Sequence, residues 1–174
     1  VSAGFPAGLS PLPERIREIE ASVAAGAREI DIVITRAHLF TGNWQAMYDE
    51  VKAFREACGD AHLKAILATG DLRVLRNVAR ASLVCMMAGA DFIKTSTGKE
   101  SVNATLDVSL VMVRAIREYH ASTGFRVGYK PAGGISNDSC RSALSSVLSS
   151  GFSGTTAGPE SPPFRRPSRK STSR

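Results

Sequence analysis

Hydrophobic and polar positions along the chain alternate between two kinds of pattern. Four short runs read as strands: "EIDIVI" (29–34), "LKAILATG" (63–70), "DFIKTST" (91–97) and "RVGYKPAGG" (126–134). They are rich in Ile, Val and Leu and largely continuous in apolar character, which suits a parallel sheet covered by helices. The opening "VSAGFPAG" reads as the end of an earlier strand with its loop. Between these runs the apolar residues recur at helical spacing. The first helical pattern presents Ile16, Ile19, Val23 and Ala24, with charges on the other face. The second presents Met47, Val51 and Phe54 and stops at Gly59, a residue suited to a C-cap. The third starts after Asp71, an N-cap candidate. The fourth has an Asn/Thr-type start near 103–105 and a glycine, Gly124, just past its end.

The strand-to-strand spacing, taken at Asp31, Ile66, Ile93 and Tyr129, runs from 27 to 36 residues. A βα unit has about 30 residues. Repeated units of this size predict an α/β fold, either a doubly wound sheet or a (β/α)8 barrel. No GxGxxG follows the first clear strand, which weighs against dinucleotide binding. After Ile135 the composition turns to Ser, Pro, Gly and Arg. The chain therefore divides into a βα body over 1–135 and a tail over 136–174. The tail is expected to be largely disordered, with too little apolar surface to offset ordering entropy.

Composition narrows the class. The 174 residues are 43% hydrophobic, enough for one packed domain. No apolar run approaches the ~20 residues of a membrane span, and no signal peptide is seen, so a soluble, cytoplasmic protein is expected. Cys58, Cys85 and Cys140 are odd in number and lack metal-ligand spacing, so reduced thiols and no structural zinc are expected. The net charge of +6 does not mark a nucleic-acid binder. Residues 139–174 hold six basic side chains and one acidic, a net +5, so the body carries only +1.

The candidate chemistry sits at strand ends, where βα folds place their sites. Asp31, Lys94 and Lys130 are charged residues in or at the ends of strands. The strands of Lys94 and Lys130 are consecutive, and neighbouring strands lie about 4.8 Å apart. Two ammonium groups that close repel each other, and repulsion with desolvation favours loss of one proton. Such a lysine is a Schiff-base nucleophile. Asp31 would move protons or hold the second lysine charged. The same spacing also fits strand-end charges that meet only solvent or ion-pair partners. Gly98-Lys99 and Gly133-Gly134 follow strands and suit anion binding by backbone N–H groups, although turn glycines are common. His38, His62 and His120 read as surface or capping residues, and Trp44, Met86 and Met87 as packing residues.

Together, "EIDIVI", "LKAILATG", "ADFIKTSTGK" and "GYKPAGGI" resemble the deoxyribose-phosphate aldolase family, class I aldolases on a TIM barrel. The resemblance covers about residues 3–135, in order. "GFPAG" matches the loop after the family's third barrel strand, so the body is expected to be an incomplete barrel, roughly strands three to seven. The resemblance implies reversible cleavage of 2-deoxy-D-ribose 5-phosphate to glyceraldehyde 3-phosphate and acetaldehyde, a step of deoxyribose catabolism. It makes Lys94 the Schiff-base lysine, Lys130 the second active-site lysine and Asp31 the carboxylate of the proton relay. Thr97, Gly98, Lys99, Gly133 and Gly134 match the family's phosphate site. It implies no cofactor, a phosphorylated sugar as the ligand, no nucleic-acid or membrane partner, and allows a homo-oligomer. The alternative reading is a fragment without turnover that partners an intact aldolase.

Overall fold

The computed structural model describes residues 1–5 and 7–133. Five strands alternate with helices: β1 (Ser2–Ala3), α1 (Leu12–Ala24), β2 (Glu29–Val33), α2 (Arg36–Phe40), α3 (Trp44–Cys58), β3 (His62–Ile66), α4 (Leu75–Met87), β4 (Phe92–Lys94), α5 (Leu106–Thr123) and β5 (Gly128–Lys130). All strand pairs are parallel and the sheet order is β1-β2-β3-β4-β5. A doubly wound sheet reverses its order at a switch point. A sequential order with right-handed crossovers instead puts every helix on one face. The fold is therefore of TIM-barrel type, a five-strand arc of a barrel.

Residue alternation shows the two faces. Ile30 and Ile32 of β2, Leu63 and Ala65 of β3, and Ile93 of β4 are buried in the core with residues of the helices. Met47, Val51 and Phe54 of α3 reach that core at the expected helical spacing. Burying one such side chain contributes about 1.5–3 kcal/mol. The intervening positions face the other way, toward what is the inside of a barrel. They are Glu29 and Asp31, Lys64, Phe92 and Lys94, and Lys130.

Local signals behave unevenly. Thr105 caps α5 by accepting from the Val108 N–H at 3.4 Å, and Gly124 ends it in the left-handed conformation. Asn43 caps α3, accepting from the Ala46 N–H at 3.1 Å, and Gly59 closes that helix. Asp71 is not the cap of α4. It ends a 3₁₀ turn, Thr69–Asp71, and its carboxylate pairs with Arg36, so α4 begins only at Leu75. On α1 the packed face is Ile19 with Leu12, Ile16 and Val23, whereas Ala24 is exposed. Met87 is also exposed, although Met86 packs inside. Every strand is shorter than its apolar run, because the runs continue into the loops that carry polar groups.

A buried polar knot anchors β2 to α1 and α3. Arg15 is 2% exposed and pairs with Glu50. Its other donors reach the Val33 carbonyl and Thr35 Oγ1, both at 2.9 Å. Glu50 also accepts from the Thr35 N–H at 3.0 Å. The guanidinium lies 4.8 Å over the Phe54 ring. Arg15 belongs to the charged face of α1, and its burial is explained by this set of partners. Cys58 and Cys85 are free thiols in the core. Cys140, Gly134 and the tail over 136–174 lie outside the described residues.

Candidate active site

The charged residues of the inner face converge through strand register. Asp31 of β2 lies opposite Lys64 of β3. Lys94 of β4 lies opposite Ile66 on one side and Lys130 of β5 on the other. Lys94 Nζ is 2.7 Å from Asp31 Oδ2, a contact that reaches across β3 above Lys64. Both side chains are largely shielded, at 12% and 14% exposure. The structure thus brings Asp31 and Lys94 into contact and sets Lys130, an exposed residue, in register with Lys94 on the adjacent strand.

Lys64, which lies inside its strand and not at its end, is central here. It is 5% exposed, pairs with Glu29, and lies 3.8 Å from the second oxygen of Asp31. Asp31 therefore stands between two ammonium groups, Lys94 and Lys64. The second lysine that this carboxylate holds is Lys64, not Lys130. The Lys64 hydrogen bond and charge hold the Glu29 carboxyl below its ordinary value, and the field of Lys130 adds to this. Phe92 closes the other side, with Lys64 Nζ 5.8 Å from its ring. One edge of that ring lies against Gly128, where a Cβ would sit 2.2 Å from two ring carbons. The sequence signal for Lys64 is a lysine in the middle of an otherwise apolar strand, "LKAI". Its neighbours Leu63 and Ala65 face the helices, so its own face is the inner one.

Two loops flank the lysines. After β4 comes Thr95-Ser96-Thr97-Gly98-Lys99, and after β5 comes Pro131-Ala132-Gly133. They are stitched together: Ser96 Oγ donates to the Ala132 carbonyl at 2.5 Å, and the Ala132 N–H donates to Thr95 Oγ1 at 2.9 Å. The candidate anion residues Thr97, Gly98, Lys99 and Gly133 thus lie on neighbouring loops. Gly98 has φ +87° and Gly133 φ +68°, conformations that favour glycine. The Gly133 position is also crowded, since a Cβ there would sit 2.7 Å from Asn103.

The amides of the first loop already hold an anion. The Thr97 N–H donates to both carboxylate oxygens of Glu100, at 3.1 and 3.0 Å. The Gly98 N–H donates at 3.1 Å and Thr97 Oγ1 at 2.8 Å. Partial burial alone would raise the Glu100 carboxyl, but the donors at Thr97 and Gly98 outweigh it and hold it low. Lys99 is exposed beside them.

The other sequence candidates lie elsewhere. His38 is 4.0 Å from Glu50, His62 is exposed near Asp91 at 3.8 Å, and His120 meets the Phe125 carbonyl at the end of α5. Among the described residues no group of His, Cys, Asp and Glu is arranged to hold a metal ion. A cleft of about 390 Å³ between β1 and α1 is lined by Ser2, Phe5 and Glu18 among others. It includes none of the lysines, so the site is not assigned to it. No helix of the described residues is long and apolar enough to cross a membrane.

Comparison with known proteins decides the lineage. The sequence profile of DeoC/LacD family aldolases matches residues 7–160. The chain belongs to the DeoC/LacD aldolase family. It is 60% identical over 135 residues to the deoxyribose-phosphate aldolase of Homo sapiens, covering 78% of this chain and 42% of that protein. It is 57% identical over 148 residues to that of Bos taurus, covering 85% of this chain and 45% of the relative. The chain thus spans less than half the length of these curated relatives. Among solved structures, the deoxyribose phosphate aldolase of Aeropyrum pernix, described as a unique tetramer, matches with TM-score 0.66 and 29% identity over 86% of this chain and 58% of that one. An aldolase designated QR15 matches with TM-score 0.69 and 28% identity over 84% of this chain and 62% of that one. Like them, this DeoC/LacD family member has the α/β parallel architecture described above.

Proposed function

We propose that this family member catalyses the reversible retro-aldol cleavage of 2-deoxy-D-ribose 5-phosphate through an imine on Lys94. The observation that carries the reading is the 2.7 Å contact between Lys94 Nζ and Asp31, on a shielded inner face that also holds Lys64, with the exposed Lys130 in register on the next strand. The names of the relatives support the substrate.

In this reading Asp31 takes a proton from Lys94, and the freed amine attacks the sugar's aldehyde carbon. Lys130, in register with Lys94 on the next strand, is the second lysine of the site. Loss of water leaves the imine. Removal of the proton from the C3 hydroxyl then breaks the C2–C3 bond. Glyceraldehyde 3-phosphate leaves, and the electron pair is held as an enamine on Lys94. A proton returned to the terminal carbon through Asp31 and Lys64 gives the imine of acetaldehyde, and water releases it. Thr97, Gly98, Lys99, Gly133 and Gly134 form the phosphate end of the site. The reaction belongs to the cytoplasm, and the tetramer described for the Aeropyrum pernix relative supports a homo-oligomeric form.

The test is trapping. Borohydride with acetaldehyde should leave a two-carbon adduct on Lys94, mapped by peptide mass, and Lys94→Ala should lose both the adduct and retro-aldol turnover. An adduct on another lysine, or turnover that survives in Lys94→Ala, would overturn the assignment.

A further inference from the structure

We propose that Glu100 is a built-in competitor for the phosphate site: its carboxylate occupies the Thr97–Gly98 amides, and a phosphate-bearing ligand binds by displacing it. The inference rests on the reading of this loop as the phosphate end of the site.

Four donor contacts converge on Glu100, from the Thr97 N–H to both oxygens, the Gly98 N–H and the Thr97 hydroxyl, all between 2.8 and 3.1 Å. Two successive amides and a hydroxyl turned on one oxyanion make a nest for an anion. A phosphate monoester offers the same acceptor chemistry with greater charge. The occupant is local. Glu100 is three residues from Thr97, so its withdrawal needs only side-chain rotation. The space is available, since a Cβ on Gly98 would meet nothing within 4 Å. The loop backbone has its own supports. The Lys99 N–H donates to Thr97 Oγ1 at 3.1 Å, and Asn103 Nδ2 donates to the Glu100 carbonyl at 3.0 Å. The nest therefore keeps its shape when the carboxylate leaves. Lys99, exposed at its edge, supplies a cation that meets the incoming phosphate.

The opposing view is that Glu100 is a turn cap. Thr-x-x-Glu is the spacing of a capping box. Here no helix begins at Thr97; α5 starts at Leu106, under its own cap Thr105.

The experiment titrates inorganic phosphate into the full chain and two variants by calorimetry, with the Thr97 and Gly98 amides followed by NMR. Glu100→Gln removes the charge. Glu100→Asp keeps the charge but shortens its reach. Displacement predicts phosphate binding about tenfold tighter in both variants, a gain of about 1.4 kcal/mol. In the wild type, saturation with phosphate should shift the Glu100 carboxyl resonance. Tightening in Glu100→Gln alone would mean a bystander charge, and no change or weaker binding in both would mean a cap. Either result overturns the proposal. Should the variants fail to fold, a wild-type Glu100 resonance that ignores saturating phosphate, or an absence of phosphate binding, overturns it as well. Phosphate binding needs no turnover. A chain that tightens as predicted yet shows no retro-aldol activity would sink the aldolase reading and leave this inference standing.

Discussion

Lys64 is a lysine with two acids and almost no solvent. Its ammonium pairs with Glu29 and stands 3.8 Å from Asp31. Removing it would leave Asp31 with Lys94 as its one close cation among the described residues. Lys64→Met keeps the length of the side chain and discards the charge. Glu29 is largely solvated and Asp31 keeps Lys94, so the change leaves no buried carboxylate without a partner. The variant should therefore fold with little change in melting temperature. Turnover should fall by about 10²-fold, at the low end of what a positioned proton-transfer group contributes. The Glu29 carboxyl, freed from its main hydrogen bond, should titrate higher by NMR. Unchanged turnover would mean that Lys64 only packs. Legibility at this scale was divided. Lys94 and Lys130 stand out because each falls where an apolar run meets polar loop residues, and Asp31 because "EIDIVI" is one of the motifs that carry the family resemblance. Lys64 does not, since it sits inside the run. Glu100 is hidden for another reason: Thr-x-x-Glu points to a helix start, and the chain uses it to fill a nest.

At the level of elements, β4 and β5 meet through a ring set edge-on against a glycine. The Phe92 ring lies against Gly128 and screens Lys64. Gly128→Ala would put a methyl group 2.2 Å from the ring and force it aside. Overpacking of this kind typically costs about 1–3 kcal/mol. A lowered denaturant midpoint with an unchanged m-value is expected. Restoring space with Gly128→Ala/Phe92→Leu should recover much of the loss. If the double variant is no better than the single, the clash is not the cause. The order of elements was readable from the alternation of two periods. Their ends were not. "LKAILATG" runs on past β3 because Leu67 and Ala68 are buried too; the Leu67 N–H still donates to the Lys94 carbonyl at 2.9 Å, and the extended backbone ends at Ala68, which is left-handed at φ 53°. α2 is a single short turn with no stripe to announce it. Asp71 looked like a cap only because its partner Arg36, 35 residues earlier, is not a sequence neighbour.

For the molecule as a whole, the core governs the response to alkali. Burial pushes the Cys58 thiol from 9.0 up to about 11, with Arg55 opposing and Asp91 adding. Burial also raises Cys85, beyond the ordinary thiol range. Below pH 9 the thiols are protonated in both folded and unfolded chains and favour neither. Between about pH 9 and 11 the unfolded chain sheds these protons while the folded chain keeps them. Folding stability should fall by up to about 1.4 kcal/mol per pH unit for each such thiol, as linkage requires. Urea midpoints measured from pH 8 to 10.5 should fall more steeply than those of Cys58→Ala/Cys85→Ala. Equal slopes would show that the thiols stay solvated. The barrel-type architecture itself follows from the sequence through one property, the regular spacing of βα units. That spacing left two folds open. The one-sided arrangement of helices separates them, and it is a matter of strand order that no local pattern carries.

The stitching of the two loops by Thr95, Ser96 and Ala132 has a geometric consequence. One jaw carries Lys94 and the Thr97–Gly98 amides, the other Lys130 and Gly133. With Ser96 and Thr95 both fastened to Ala132, the jaws form a caliper set to one opening. In the proposed reaction a sugar phosphate is held at its carbonyl carbon and at its phosphate. Lys94 and the Thr97–Gly98 amides share the first jaw, so under that proposal the short stretch of chain between them sets the span, and the second jaw, fastened at Ala132, braces it.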